Sequence, residues 1–217
     1  MKWLNPILHS LLLVLAVAGI ALATVSRPLV PTTGSAPPPV VVFLVRHAEK
    51  APAPPKDPPL TAAGAARADA LRDLLADTGV THLFASEFAR TQATVAPLAQ
   101  QLGKEVAVVG AAKPDELLAR LRALPAGAVA VVAGHSNTIP ALARALANGG
   151  GTHDLAATRA AIDTVLAGTT QGNSGEQFPD DEYGRLIELV LAPPAADASA
   201  GAAPTLLRAL RLHVGAR

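Results

Sequence analysis

From residue 40 onward, continuous apolar runs alternate with amphipathic stretches. VVVFLV (40–45) is dominated by β-branched residues and has no polar face, the pattern of a strand covered on both sides. It ends in Arg46-His47-Ala48-Glu49-Lys50. A Pro-rich loop (51–59) then leads into LTAAGAARADALRDLLADTG (60–79), where Leu71, Leu74 and Leu75 recur at helical spacing and Gly79 supplies a stop. VTHLFAS (80–86) predicts a second strand, and TQATVAPLAQQLG (91–103) predicts a helix that Pro97 should kink or loosen. A short strand over 105–109, a helix from Pro114 to Leu124, the strand AVAVVA (128–133) and a helix over 138–147 complete the series.

Strands alternating with helices predict an α/β fold, a three-layer α/β/α arrangement around a mostly parallel central sheet. Ligands of such sheets bind beyond the carboxyl ends of the strands. Three separate strands end there in charged or polar groups: Arg46-His47, Ser86 to Arg90, and His135-Ser136-Asn137. Any one of these is ordinary loop chemistry. Two histidines and two arginines converging on one edge is a candidate site.

The segment before residue 40 follows a different pattern. Lys2 precedes ILHSLLLVLAVAGIALATV (7–25), which carries no formal charge and is apolar on every face. Ala21-Leu22-Ala23 matches the small-x-small pattern of a signal-peptidase site, while the length approaches the ~20 residues that span a bilayer. Residues 1–25 are therefore expected to be a signal peptide or an uncleaved signal anchor. The protein is accordingly expected outside the cytoplasm (periplasmic or extracellular) or held to the membrane by residues 7–25. SRPLVPTTGSAPPP (26–39) reads as an extended tether. The folded domain is placed at 40–217, with 148–181 as an insertion carrying a helical stretch (153–167) and a polar, glycine-containing end. EYGRLIELVL (182–191) predicts a late strand.

Composition narrows the chemistry. The chain has 217 residues, no cysteine, 3% aromatic residues and a net charge of +1. Without cysteine there is no disulfide framework, no Cys-x-x-Cys zinc site and no lipidated cysteine. All 17 acidic residues lie beyond position 39, whereas only Lys2 and Arg27 precede it. The near-neutral balance offers nothing for nucleic acid, so an anionic ligand has to be held by local placement of positive groups.

Arg46 and Arg90 suit that task. Two guanidinium groups can neutralise a dianion and grip its oxygens in a forked geometry, and Arg90 lies near a helix start that favours anions. A neutral imidazole can attack a phosphoryl centre, and a second histidine can support the same oxygens. This set needs no metal and no cofactor, because the arginines supply the positive charge. His82, His153 and His213 have no ligand spacing linking them and are read as structural or solvent-facing.

VFLVRHAEK, LTAAGAARA, SEFARTQAT and VVAGHSN, in this order, resemble the histidine phosphatase (phosphoglycerate mutase-like) superfamily in its compact branch. The resemblance covers about residues 40–147, and Ala48 stands where the family's Arg-His-Gly triplet ends. It implies a phosphoglycerate mutase-like fold with His47 as the phosphorylated nucleophile. Arg46, Arg90 and His135 would complete the phosphate pocket. By their place on the turn after His135, Ser136 and Asn137 are read as donors to phosphate or as caps of the next helix. The general acid is left open among Glu49, Asp115, Glu116 and Asp181.

The expected activity is hydrolysis of phosphate monoesters, on a phosphorylated small molecule or envelope component, with membrane contact only through the N-terminal segment. Three alternatives stand beside it. One is a phosphate-binding module with little turnover, and another is a phosphomutase on the same intermediate. The third is a serine α/β-hydrolase with Ser136 as nucleophile and His213 as base, although Thr138 occupies the position where that elbow needs glycine.

Overall fold

In the computed structural model, residues 36–149, 155–173, 175–194 and 203–215 are described. The N-terminal apolar segment, the tether up to residue 35 and His153 lie outside them. Pro37–Arg217 forms one compact unit. Among the described residues, no helix is long and apolar enough to cross a membrane.

Among the described residues, eight strands and five helices follow in the order β1 (Val40–Arg46), α1 (Ala62–Leu75), β2 (His82–Ala85), α2 (Ala89–Leu102), β3 (Val106–Val108), α3 (Pro114–Arg122), β4 (Val129–Gly134), α4 (Thr138–Ala147), α5 (Leu155–Leu166), β5 (Thr170–Gly172), β6 (Gly175–Gln177), β7 (Arg185–Ala192) and β8 (Thr205–His213). Six strands make the central sheet in the order β3-β2-β4-β1-β7-β8. β3, β2, β4 and β1 run parallel, with Phe43 opposite Val131 and Leu83 opposite Val106. β7 and β8 add on antiparallel, so the sheet is mixed and mostly parallel.

The strand sequences explain the layering. Successive side chains point to opposite faces, and β1 divides accordingly. Val40, Val42 and Leu44 enter a core with α3, α4 and α5, whereas Phe43 and Val45 enter a second core with α1 and α2. Both cores are built from Ala, Val, Leu and Ile with few rings, as the composition requires.

Several elements differ from the expectation. α2 starts at Ala89 and runs unbroken through Pro97 to Leu102, where Gly103 closes it in the left-handed conformation. Two features without a clear periodic signal are structured. The polar end of the insertion forms a β5–β6 hairpin, and residues 205–213 form the edge strand β8.

Candidate active site

Arg46 and His47 sit at the carboxyl end of β1, each 4% exposed. The chain there is pinned from both sides. The His47 amide donates to the Gly134 carbonyl at 2.8 Å, and the Ala48 amide donates to Thr94 Oγ1 at 2.9 Å. Thr94 in turn donates to the Arg90 carbonyl at 2.7 Å, which fixes the start of α2 relative to His47. Gly134 is required at the end of β4. A Cβ there would lie 2.8 Å from Ile139 Cδ1 and 2.9 Å from Thr138 Oγ1, so glycine lets α4 close against the strand and carry His135 inward.

The His47 ring has one defined tautomer. Nδ1 lies 2.8 Å from the Ala48 carbonyl oxygen, which can only accept, so Nδ1 bears the proton and Nε2 keeps its lone pair. Burial is the main cause that lowers the His47 pKa to about 4. The nearby Arg46, His135 and Arg90 act in the same sense, and the Ala48 carbonyl opposes them. His135 is also lowered to about 4, again chiefly by burial and next by Arg90. Both rings are therefore neutral at pH 7. Their centroids are 5.5 Å apart in an edge-on arrangement.

Arg46 is held by a segment far away in sequence. Its Nη1 donates to the carbonyls of Pro179 at 2.7 Å, Asp180 at 3.2 Å and Glu182 at 3.1 Å. The guanidinium lies over the Tyr183 ring at 4.2 Å. Arg90 lies over Phe88 at 4.3 Å, approaches His135 Nδ1 at 3.5 Å, and pairs at 3.5 Å with Asp57, whose carboxylate also accepts from the Ala89 amide that opens α2. The Nε atoms of Arg46 and Arg90 are buried without a partner. An orphaned charged donor costs more than the ~1–3 kcal/mol of a neutral one, and a bound anion would remove that cost.

The structure thus brings Arg46, His47, Arg90 and His135 together. Ser136 and Asn137 flank His135 as the chain turns into α4, and both are half-buried. The Ser136 carbonyl accepts from the Phe178 amide at 2.9 Å. Asn137 makes no side-chain cap bond, and Thr138 Oγ1 instead accepts the His135 amide at 2.8 Å. Ser136 makes no hydrogen bond to His213, which lies at the end of β8 with its ring against Gly184.

The four open carboxylates separate clearly. Glu49 takes a bidentate pair from Arg67, with contacts of 2.6 to 3.0 Å, and that pairing lowers its pKa. It is ionised and committed, which unsuits it to supplying a proton. Glu116 pairs with Arg120 and Lys113. Asp181 is exposed on the loop that holds Arg46, and Asp115 is exposed at the rim of a cavity that includes His135.

Sequence reasoning missed Tyr183, Phe88 and Asp57 as site neighbours, together with the role of Ser86. Ser86 Oγ lies 3.0 Å from His135 Nε2 and 2.8 Å from Thr91 Oγ1. The SEFART run contained Ser86 and Phe88. Tyr183 and Asp57 are joined to the site only by the fold.

Comparison with known proteins agrees with this geometry. Residues 42–112 match the model of the histidine phosphatase superfamily (branch 1). Among curated proteins none matches the sequence. SixA from Nakamurella multipartitia is 26% identical, with a TM-score of 0.53 over 82% of this chain and 98% of that one. The protein histidine phosphatase SixA complexed with tungstate shares 16% identity at a TM-score of 0.53, covering 78% and 96%. A mycobacterial glucosyl-3-phosphoglycerate phosphatase shares 15% at 0.53, covering 81% and 99%. These last two show likeness of fold. The matched segment runs through both Arg46-His47 and Arg90, so the part of the chain that carries those residues is similar to the histidine phosphatase superfamily, branch 1.

Proposed function

We propose that the protein is a phosphatase that hydrolyses phosphate monoesters through a phosphohistidine at His47. The observation that carries this reading is the fixed tautomer of His47, a buried neutral ring with Nδ1–H on the Ala48 carbonyl and a free Nε2, set beside two arginines whose buried Nε atoms lack partners.

The chemistry follows from those atoms. Arg46 and Arg90 bind the non-bridging oxygens of the dianion. His47 Nε2 forms a bond to phosphorus as the ester P–O bond breaks, and the leaving oxygen takes up a proton from solvent, which recovers it when the attacking water of the next step loses one. The Ala48 carbonyl stabilises the positive charge the ring then gains. Water next attacks phosphorus, the N–P bond breaks, and inorganic phosphate and neutral His47 are restored. His135, neutral and held by Ser86 at Nε2, faces the Arg90 guanidinium with Nδ1 and so helps to position Arg90 without adding a standing charge.

The N-terminal apolar segment supports placing this activity outside the cytoplasm or at the membrane, as part of the same proposal. The test is a phosphorylated substrate carrying a labelled phosphoryl group. An acid-labile, base-stable label on the protein, absent from His47→Ala, is expected. A label that survives the substitution overturns the reading. Stoichiometric binding of phosphate without turnover of an aryl phosphate favours the binding-module alternative.

A further inference from the structure

A cavity of about 290 Å³ lies beside the phosphate cradle, between α3, α4 and the carboxyl ends of β2, β3 and β4. Its walls are Val109, Leu117, Leu118, Ile139 and Leu142, and the charged groups Lys113 and Asp115 are confined to its rim. It shares Ser86, Gly134 and His135 with the cradle, so the His135 ring stands between the two spaces, 5.5 Å from His47.

The sequence keeps this space open. Ala141 and Ala145 are four residues apart on one face of α4, and both line the cavity. Side chains at that spacing project from the same side of a helix, and a larger residue at either position would occupy the volume. Leu117 and Leu118 are correspondingly only partly buried. A pocket walled by aliphatic groups and touching a catalytic ring has the chemistry to take the carbon part of a ligand whose charged end lies in the cradle.

We infer that this cavity is the leaving-group subsite, and that the substrate is a phosphate monoester of a linear aliphatic alcohol. The inference rests on the phosphatase reading for the placement of the phosphoryl group. Each methylene that enters an apolar site adds a constant increment of binding, so affinity rises by about fourfold per carbon until the space is filled.

The experiment uses the full chain and the n-alkyl phosphates from methyl to octyl. kcat/KM is expected to climb by about fourfold per carbon through the first members and then level off. In Ala141→Leu and in Ala145→Leu the climb should stop earlier. A flat series in the wild-type protein overturns the inference. So does an unchanged slope in both variants, which would make the cavity a packing gap. If neither these esters nor an aryl phosphate is turned over, the phosphatase reading fails separately. The calorimetric Kd of hexyl phosphate relative to inorganic phosphate then decides the cavity. Tighter hexyl phosphate binding that is lost in the two variants supports it, and equal affinities overturn it.

Discussion

The Pro179 carbonyl accepts a 2.7 Å hydrogen bond from Nη1 of Arg46, across 133 positions of sequence. The arginine expected to grip the phosphate is therefore set by the end of the insertion. Behind that contact stands Arg185, 4% exposed. It pairs with Glu182 at 2.7 and 2.8 Å, donates to the Val165 and Ala167 carbonyls at 3.2 and 3.0 Å, and lies 4.8 Å from the Phe178 ring.

Arg185→Lys keeps the charge and loses the fork that holds Glu182. The 179–182 loop should loosen around Arg46, so KM and the inhibition constant of inorganic phosphate are expected to rise several-fold while kcat changes less. Steady-state kinetics with phosphate as product inhibitor measures the split. A parallel fall in kcat with unchanged phosphate affinity would remove the coupling.

Arg90→Lys leaves a cation but no planar donor set, and it removes the stack on Phe88. The loss of one oriented donor to the transferring group is worth about 10²–10³ in kcat. Aryl phosphate turnover is expected to fall within that range, while the thermal midpoint stays close to wild type.

The two histidines set a pH response. In the free ordinary state each ring titrates near ~6.5, whereas in the fold each is lowered to about 4. Between those values the unfolded chain binds more protons, so stability is complete above pH ~6.5 and declines as the pH falls toward 4, by about 3 kcal/mol per ring at the limit. Urea midpoints measured across this window should show the slope, and His47→Gln with His135→Gln should flatten it. Over the same range the His47 ring remains neutral, so kcat/KM corrected for the dianionic fraction of the substrate, whose second ionisation lies near pH ~6, should stay level until near pH 4.

Gly64 lies where α1 meets the loop that follows His47. A Cβ at this position would be 2.3 Å from the Glu49 carbonyl oxygen, and Thr61, which caps α1 by accepting the Gly64 amide at 3.1 Å, also donates to that carbonyl. Gly64→Ala should displace α1 and cost about 1–3 kcal/mol, read as a lowered denaturation midpoint. The Arg67–Glu49 pair would be strained with it.

The parallel half of the fold was legible because each β-branched run and each leucine spacing reports its own burial. β1, β4 and α4 fall where the pattern put them. The candidate site was legible for a related reason: Arg46, His47, Arg90 and His135 each sit directly at a strand or helix terminus, so local sequence places them. Tyr183, Asp57 and Arg185 act through contacts that no local period encodes. β8 was missed because its burial alternates weakly along an edge strand, where exposed Leu207 and Leu210 break the two-residue rhythm. Pro97 lies inside α2, which continues past it to Leu102, and the core packing of Val95, Leu98 and Ala99 holds that segment in the helix despite the missing hydrogen bond.

The ring beneath Arg46 gives the site a built-in reporter. Tyr183 is the single tyrosine of the chain, and Trp3 is the single tryptophan. In a Trp3→Phe variant all tyrosine emission originates 4.2 Å from the guanidinium of Arg46. Arrival of an anion at that guanidinium changes the field on one fluorophore, so occupancy of the cradle can be titrated optically, without a label and without turnover.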